Sequence, residues 1–211
     1  MRPRHPELPR LWMMTDERQG EGLWATLRRL PAGTGIVFRH RATSGAERAR
    51  LFARARRIAR ARRLVLLLAG EDREACRWRA HGAHHHRPHA PRYGTAPAHD
   101  LREIRRAERS GAAAIMLSPL HATRSHPQAK PLGRMRFAAL VRASRRPVIA
   151  LGGVDRLRGR AAMRCGAYGW AAIDAWSEAA ASFSSLTGSV MLNLFQHPPS
   201  RKLLGEAFGG P

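Results

Sequence analysis

Short apolar runs alternate along the chain with longer amphipathic stretches. The runs Leu11–Thr15, Gly35–Arg39, Leu64–Ala69, Gly82–His85, Tyr93–Ala96, Ala113–Ser118, Val148–Leu151 and Tyr168–Ile173 read as eight strands. Helical patterns fill most of the intervals: Gly22–Leu30, Ala46–Arg62, Asp72–Ala80, Asp100–Ser110, Met135–Ser144 and Arg156–Cys165. In the second of these, Leu51, Ala55, Ile58 and Ala59 recur at helical spacing and form one apolar stripe among arginines. The interval His86–Arg92 is too short for a helix. Strand–helix alternation with short loops predicts a parallel sheet. Eight strands in a chain of this length predict its closure into a single (β/α)8 TIM barrel of the α/β class. A flavodoxin-like or Rossmann sheet is the alternative. No GxGxxG follows the first strand, however, where Met14-Thr15-Asp16-Glu17-Arg18 stands.

The pattern sets the domain boundaries. Residues 1–9 are rich in proline and arginine and read as a flexible tail; 10–182 carry the barrel. Residues 183–211 have no strand–helix logic and read as an extension outside the domain, as translated intergenic sequence would. The longest apolar run, Leu64–Ala69, is far below the ~20 residues of a membrane helix, and no secretory signal is recognisable. A cytoplasmic protein without a membrane partner is expected. Two cysteines, Cys76 and Cys165, give neither a disulfide framework nor a zinc site.

Charge complicates this picture. A formal net charge of +23 over 211 residues invites polyanions. Yet of 38 basic residues only Lys130 and Lys202 are lysines, as a GC-rich coding bias produces. The arginines are also dispersed over many helices, with no block of interleaved aromatics. Nucleic acid is therefore not expected as the main partner.

In such a barrel, chemistry sits at the carboxyl ends of the strands, and the loops after the seventh and eighth often hold phosphate. The seventh strand runs into Gly152-Gly153 before a helix, and the eighth is marked by Gly166 and Gly169. Residues without side chains let backbone N–H groups approach an anion. The sixth loop, Ser118–Gly133, is the longest and most polar, offering Thr123, Arg124, Ser125, His126 and Lys130. Loops of this length are usually lids or binding loops.

The run Ser118–Gly133, then Phe137-Ala138 and Arg146-Pro147-Val148-Ile149-Ala150-Leu151-Gly152-Gly153-Val154, resembles the thiamine phosphate synthase and thiazole tautomerase superfamily. Leu11–Asp16 and Gly166–Ala171 are similar to its first and last strands. The resemblance implies an enzyme of thiamine biosynthesis acting on small phosphorylated thiazole and pyrimidine substrates, with a homodimer common. On the synthase side it joins an aminopyrimidine diphosphate to thiazole phosphate. Arg39-His40-Arg41 then stands where the family grips diphosphate, making Arg39 a binding and Arg41 a catalytic candidate. Thr123, Ser125 and His126 match the sixth-loop donors, and Gly152 and Gly153 the thiazole-phosphate loop. Mg2+ is the implied cofactor if synthase activity is retained. Its ligands are not identifiable, because Ala69-Gly70-Glu71-Asp72 and Gly82-Ala83-His84-His85-His86 replace the family's aspartate-bearing turns. On the tautomerase side, His99 matches the acid–base histidine after the fifth strand. A thiazole-phosphate binder without catalysis is the remaining reading.

Three features point elsewhere or nowhere. His81, His84, His85, His86 and His89 resemble a metal site by count, but successive residues cannot all face one ion, so no metal site is expected. Asp174, after the eighth strand, stands where the family tends to have a serine near the phosphate, and an inward carboxylate would repel that group. Trp12 and Trp170 are expected to fill the barrel or the helix layer.

Overall fold

The structure is a computed structural model that describes residues 8–85, 93–123 and 128–178. Its elements run β1 (Leu11–Met14), α1 (Gly22–Arg29), β2 (Gly35–Phe38), α2 (Gly45–Ala61), β3 (Val65–Leu68), α3 (Asp72–Arg77), β4 (Gly82–Ala83) and β5 (Thr95–Ala98). They continue through α4 (Leu101–Arg109), β6 (Ala114–Leu117), α5 (Gly133–Ala143), β7 (Val148–Ala150), α6 (Arg156–Arg164), β8 (Gly169–Ala172) and α7 (Ala175–Glu178). The strands pair in parallel in the order β4-β3-β2-β1-β8-β7-β6-β5. One bridge, His84 to Thr95, joins the two ends, with the His85 N–H donating to the Thr95 carbonyl at 3.1 Å. The result is the expected α/β fold: an eight-stranded, nearly closed (β/α)8 barrel with helices outside.

Strand alternation sorts the core into two layers. Trp12, Met14, Val37, Leu67, Met116 and Ile149 face the barrel interior, whereas Met13, Ile36, Phe38, Leu66, Ile115 and Trp170 face the helices. Trp12 is fully buried, and its ring occupies the space a side chain at Gly35 would need. Gly159 on α6 makes room for Trp170 in the same way, and Trp170 stacks on Trp176 with centroids 5.2 Å apart.

The fifth strand is shifted by two residues from the sequence expectation, to Thr95–Ala98, and contains Pro97. Proline lacks the donor a ladder needs. The structure shows why it is tolerated. The carbonyls of Gly94 and Ala98 accept from β6 and its flanks, while Thr95 faces β4. Pro97 shares the orientation of Thr95, so its missing N–H lies on the side where the ladder is reduced to one bridge.

The expected tail (1–9) lies outside the described residues except for its last two positions, and the expected extension (183–211) lies outside them entirely. No helix among the described residues is long and apolar enough to cross a membrane.

Candidate active site

Beyond β7 the chain turns through Gly152 (φ 93°) and Gly153 (φ 59°). Both lie in the left-handed region, and both are pressed against the β6–α5 loop. A Cβ on Gly152 would sit 2.7 Å from Pro119 Cα, and one on Gly153 would overlap the Ala122 carbonyl oxygen. The two loops are zipped together: Leu120 N–H donates to Leu151 O at 2.9 Å, and His121 N–H to Gly152 O at 3.0 Å. Glycine is required here for its conformation and for its bareness.

α6 starts directly behind this turn. Asp155 caps it by accepting from Arg158 N–H at 2.8 Å, and the Arg158 guanidinium donates to Gly153 O at 2.9 Å. A cavity of about 240 Å³ opens here, lined by Thr123, Gly152, Gly153, Asp155, Arg158 and Asp174. Backbone donors, a helix N-terminus and Arg158 suit an anion. The two carboxylates oppose one. Asp174 is thus part of the cavity wall. Burial pushes the neighbouring His121 below its ordinary pKa, with Arg158 adding to the effect.

A second chamber of about 130 Å³ adjoins the first and shares Thr123, Leu151, Gly152 and Ile173 with it. Its remaining walls include Met14, Arg39, His99 and Pro119. The fold therefore brings together Arg39, His99, Thr123 and Gly152, with Gly153 next door. Arg41 is exposed after β2 and lines neither cavity. Ser125 and His126 lie outside the described residues.

His99 is the most chemically versatile group in the chamber. Its Nδ1 is 2.7 Å from Glu103 Oε2, and its backbone N–H donates to the same oxygen at 2.7 Å. A carboxylate only accepts, so Nδ1 carries the proton and Nε2 keeps its lone pair in the neutral ring. Asp100 caps α4 by accepting from Glu103 N–H at 2.8 Å, so helix capping belongs to Asp100 and not to His99. The sequence reading missed Glu103. Its signal was present: Asp100-x-x-Glu103 has capping-box spacing, and Glu103 lies four residues after His99.

Arg39 is fixed from behind. Its backbone N–H donates to Thr15 Oγ1 at 3.0 Å, which also meets His40 Nδ1 at 3.0 Å. His40 is buried, has φ 42° and stacks on Phe38 with centroids 4.4 Å apart. Burial holds it below its ordinary pKa, hence neutral. The Arg39 guanidinium lies 3.9 Å from Asp16, whose carboxyl is held low first by its bond to Arg18.

The opposite rim, after β3 and β4, is occupied by internal pairs. Arg48 meets Glu74 at 3.3 Å and donates to Ala69 O at 2.7 Å. Asp72 faces His85 at 3.5 Å, and His84 Nδ1 lies 2.9 Å from Thr95 Oγ1. Magnesium asks for several oxygen ligands. One carboxylate here faces an imidazole and another is clamped by a guanidinium. No group of three potential metal ligands occurs among the described residues. The described donors of this rim do not fit magnesium.

Comparison with known proteins bears on this geometry. The model of the family described as "Thiamine monophosphate synthase" matches residues 94–176, which include His99, Thr123, Gly152, Gly153 and Asp174. A curated protein of Aquifex aeolicus (strain VF5), named "Putative thiamine-phosphate synthase 2", is 30% identical over 190 residues, spanning 82% of this chain and 100% of its own. The chain belongs to the thiamine monophosphate synthase family. Among solved structures, the thiamine phosphate pyrophosphorylase from Pyrococcus furiosus superposes with a TM-score of 0.66 at 18% identity, covering 85% of this chain and 97% of that one. The N-acetylmannosamine-6-phosphate 2-epimerase from Clostridium perfringens gives 0.56 at 13% identity, covering 84% and 93%. At such identities these two likenesses speak for the barrel alone. Family membership places the chain in thiamine biosynthesis, with a synthase-like barrel.

Proposed function

We propose that this chain binds a phosphorylated thiazole and catalyses a proton transfer on it, with His99 as the acid–base group. The phosphate lies in the Gly152–Gly153 cavity and the ring in the adjoining chamber. The observation that carries this reading is the His99–Glu103 pair at 2.7 Å on the chamber wall. With Nδ1–H held by Glu103, Nε2 takes a proton from one substrate atom. The imidazolium, stabilised by the carboxylate, returns it to another. Reactant and product are isomers, so no co-reactant is needed.

A second reading, condensation with an aminopyrimidine diphosphate, is favoured by Arg39 in the same chamber and by the name of the Aquifex relative. Against it stands the rim after β3 and β4, where Asp72 faces His85 and Glu74 is held by Arg48. Purified protein assayed in parallel for thiazole tautomerisation and for thiamine phosphate formation separates the two. Tautomerisation abolished in His99→Asn supports the first reading. Thiamine phosphate formation by the wild type supports the second, and inertness in both assays leaves a binder.

A further inference from the structure

Along the sequence the arginines look scattered, but a (β/α) repeat returns every helix to the same end of the barrel. Each of the first six helices finishes at the amino-terminal face with an exposed arginine in its last turn or within the two residues that follow its cap: Arg29, Arg63, Arg79, Arg109, Arg145 and Arg164. α1, α2, α3 and α5 add at least one more exposed arginine each. Hydrogen bonds link neighbouring rim segments, from Gly33 N–H to Arg63 O (2.9 Å) and from Arg145 N–H to Glu108 (2.7 Å). Among the described residues, Glu108 is the one carboxylate at this face, and Arg105 holds it at 2.7 Å. The remaining described acidic side chains follow strand ends or sit at helix starts, at the opposite end.

Complementing helix dipoles explains one cation per helix end, not two or three. A second observation bears on the same face. α2, α3, α4 and α6 all end in the same turn, in which the residue after the cap is left-handed and the next N–H reaches back five residues: Leu64 to Ala59, Ala80 to Ala75, Ala112 to Ala107, Ala167 to Ala162. In α4 and α6 the left-handed residue is glycine, Gly111 (φ 80°) and Gly166 (φ 96°). In α2 and α3 it is Arg63 (φ 54°) and Arg79 (φ 56°), a conformation that penalises any side chain. Coding bias toward G and C favours glycine as much as arginine. Guanidinium groups are thus kept on this face against backbone preference.

We infer that the amino-terminal face binds the phosphate backbone of a duplex nucleic acid without selecting sequence. Guanidinium forks match phosphate oxygens in pairs. Single strands are bound through exposed stacking aromatics. At this end Tyr168 is covered by Arg10, Tyr93 is buried, and Trp78 is packed on Phe52 and covered by Arg48. A membrane surface calls for apolar anchors, but the exposed large apolar residues Leu101, Met135 and Leu157 lie in the first turns of α4, α5 and α6, at the other end.

The test is fluorescence anisotropy with labelled DNA and RNA duplexes of about 25 base pairs, titrated between about 50 and 200 mM salt. Wild-type affinity should fall steeply with salt. The double variant Arg63→Gly, Arg79→Gly puts the usual residue in each turn, so its melting temperature should hold or rise. Its duplex affinity should drop at least about fivefold and its salt slope shrink by about 0.9 for each lost contact. A flat salt response, or unchanged binding by the double variant, overturns the inference. So does preference for single strands, or for anionic phosphatidylserine vesicles that duplex cannot displace. A preference between the DNA and RNA duplexes that both obey the salt rule identifies the source.

Discussion

The two sides of the barrel's carboxyl-terminal rim are built on the same strand–loop–helix plan, yet they treat polar groups in opposite ways. On the β6–β8 side, Gly152 and Gly153 strip the backbone of side chains beside a helix start, leaving donors and Arg158 around a cavity. On the β3–β4 side, Glu74, Asp72 and His84 are engaged by Arg48, His85 and Thr95. One side keeps room for a ligand. The other closes on itself, and in the low dielectric of a half-buried rim such pairs need a strong competitor to part them. One strand–loop–helix plan thus yields both an open cavity and a rim of internal pairs.

The sharpest way to break this comparison is Gly153→Ala. The left-handed backbone alone costs about 1–3 kcal/mol, and the added Cβ meets the Ala122 carbonyl. Melting temperature should fall markedly and the thermal shift with thiazole phosphate should vanish. Glu71→Ala on the other side, at an exposed residue whose side chain caps nothing, should stay within about 0.5 kcal/mol by denaturant unfolding.

Next in size is His99→Asn, expected to lower turnover about 10²- to 10⁴-fold while calorimetry finds thiazole phosphate bound as before. Glu103→Gln should cost about tenfold in turnover, since a neutral amide stabilises the transient imidazolium less than a carboxylate does. A smaller gain is expected from Asp174→Ser. Removing the carboxylate from the Gly152–Gly153 cavity should tighten thiazole phosphate about tenfold, roughly 1.4 kcal/mol. No change would mean that the phosphate does not enter there.

The smallest effect concerns pH. His40 is held below its ordinary pKa by burial, so the unfolded chain binds a proton that the folded one refuses. Stability is fully present above about 6.5 and declines as pH falls toward the lowered folded value. His40→Asn tolerates the left-handed backbone. It should flatten this limb of a melting-temperature profile without abolishing it, because His81 and His121 are lowered too.

Much of this was legible in the chain. Eight apolar runs at regular spacing foretold the barrel, and Gly152-Gly153 before a helix marked a turn that lines a cavity. Thr123 and His99 line one chamber beside it because each follows a strand, and strand ends converge. Glu103 escaped because its role depends on a helix start turning its side chain back four residues, to His99. Arg41 looked equivalent to Arg39, but the left-handed turn at His40 separates them, sending one to the chamber wall and the other to solvent. The charged face escaped for a related reason. Dispersal along the sequence says nothing about dispersal in space when each repeat returns to the same end.

The seam between β4 and β5 has a mechanical consequence. Seven neighbouring strand pairs share ladders, whereas this junction among the described residues holds by one bridge at His84 and Thr95. Thermal opening should therefore start there. The His85 amide should exchange with solvent deuterium before those of β1, β2 or β7. A circular permutant cut at this seam would sacrifice less pairing than one cut at any other strand boundary.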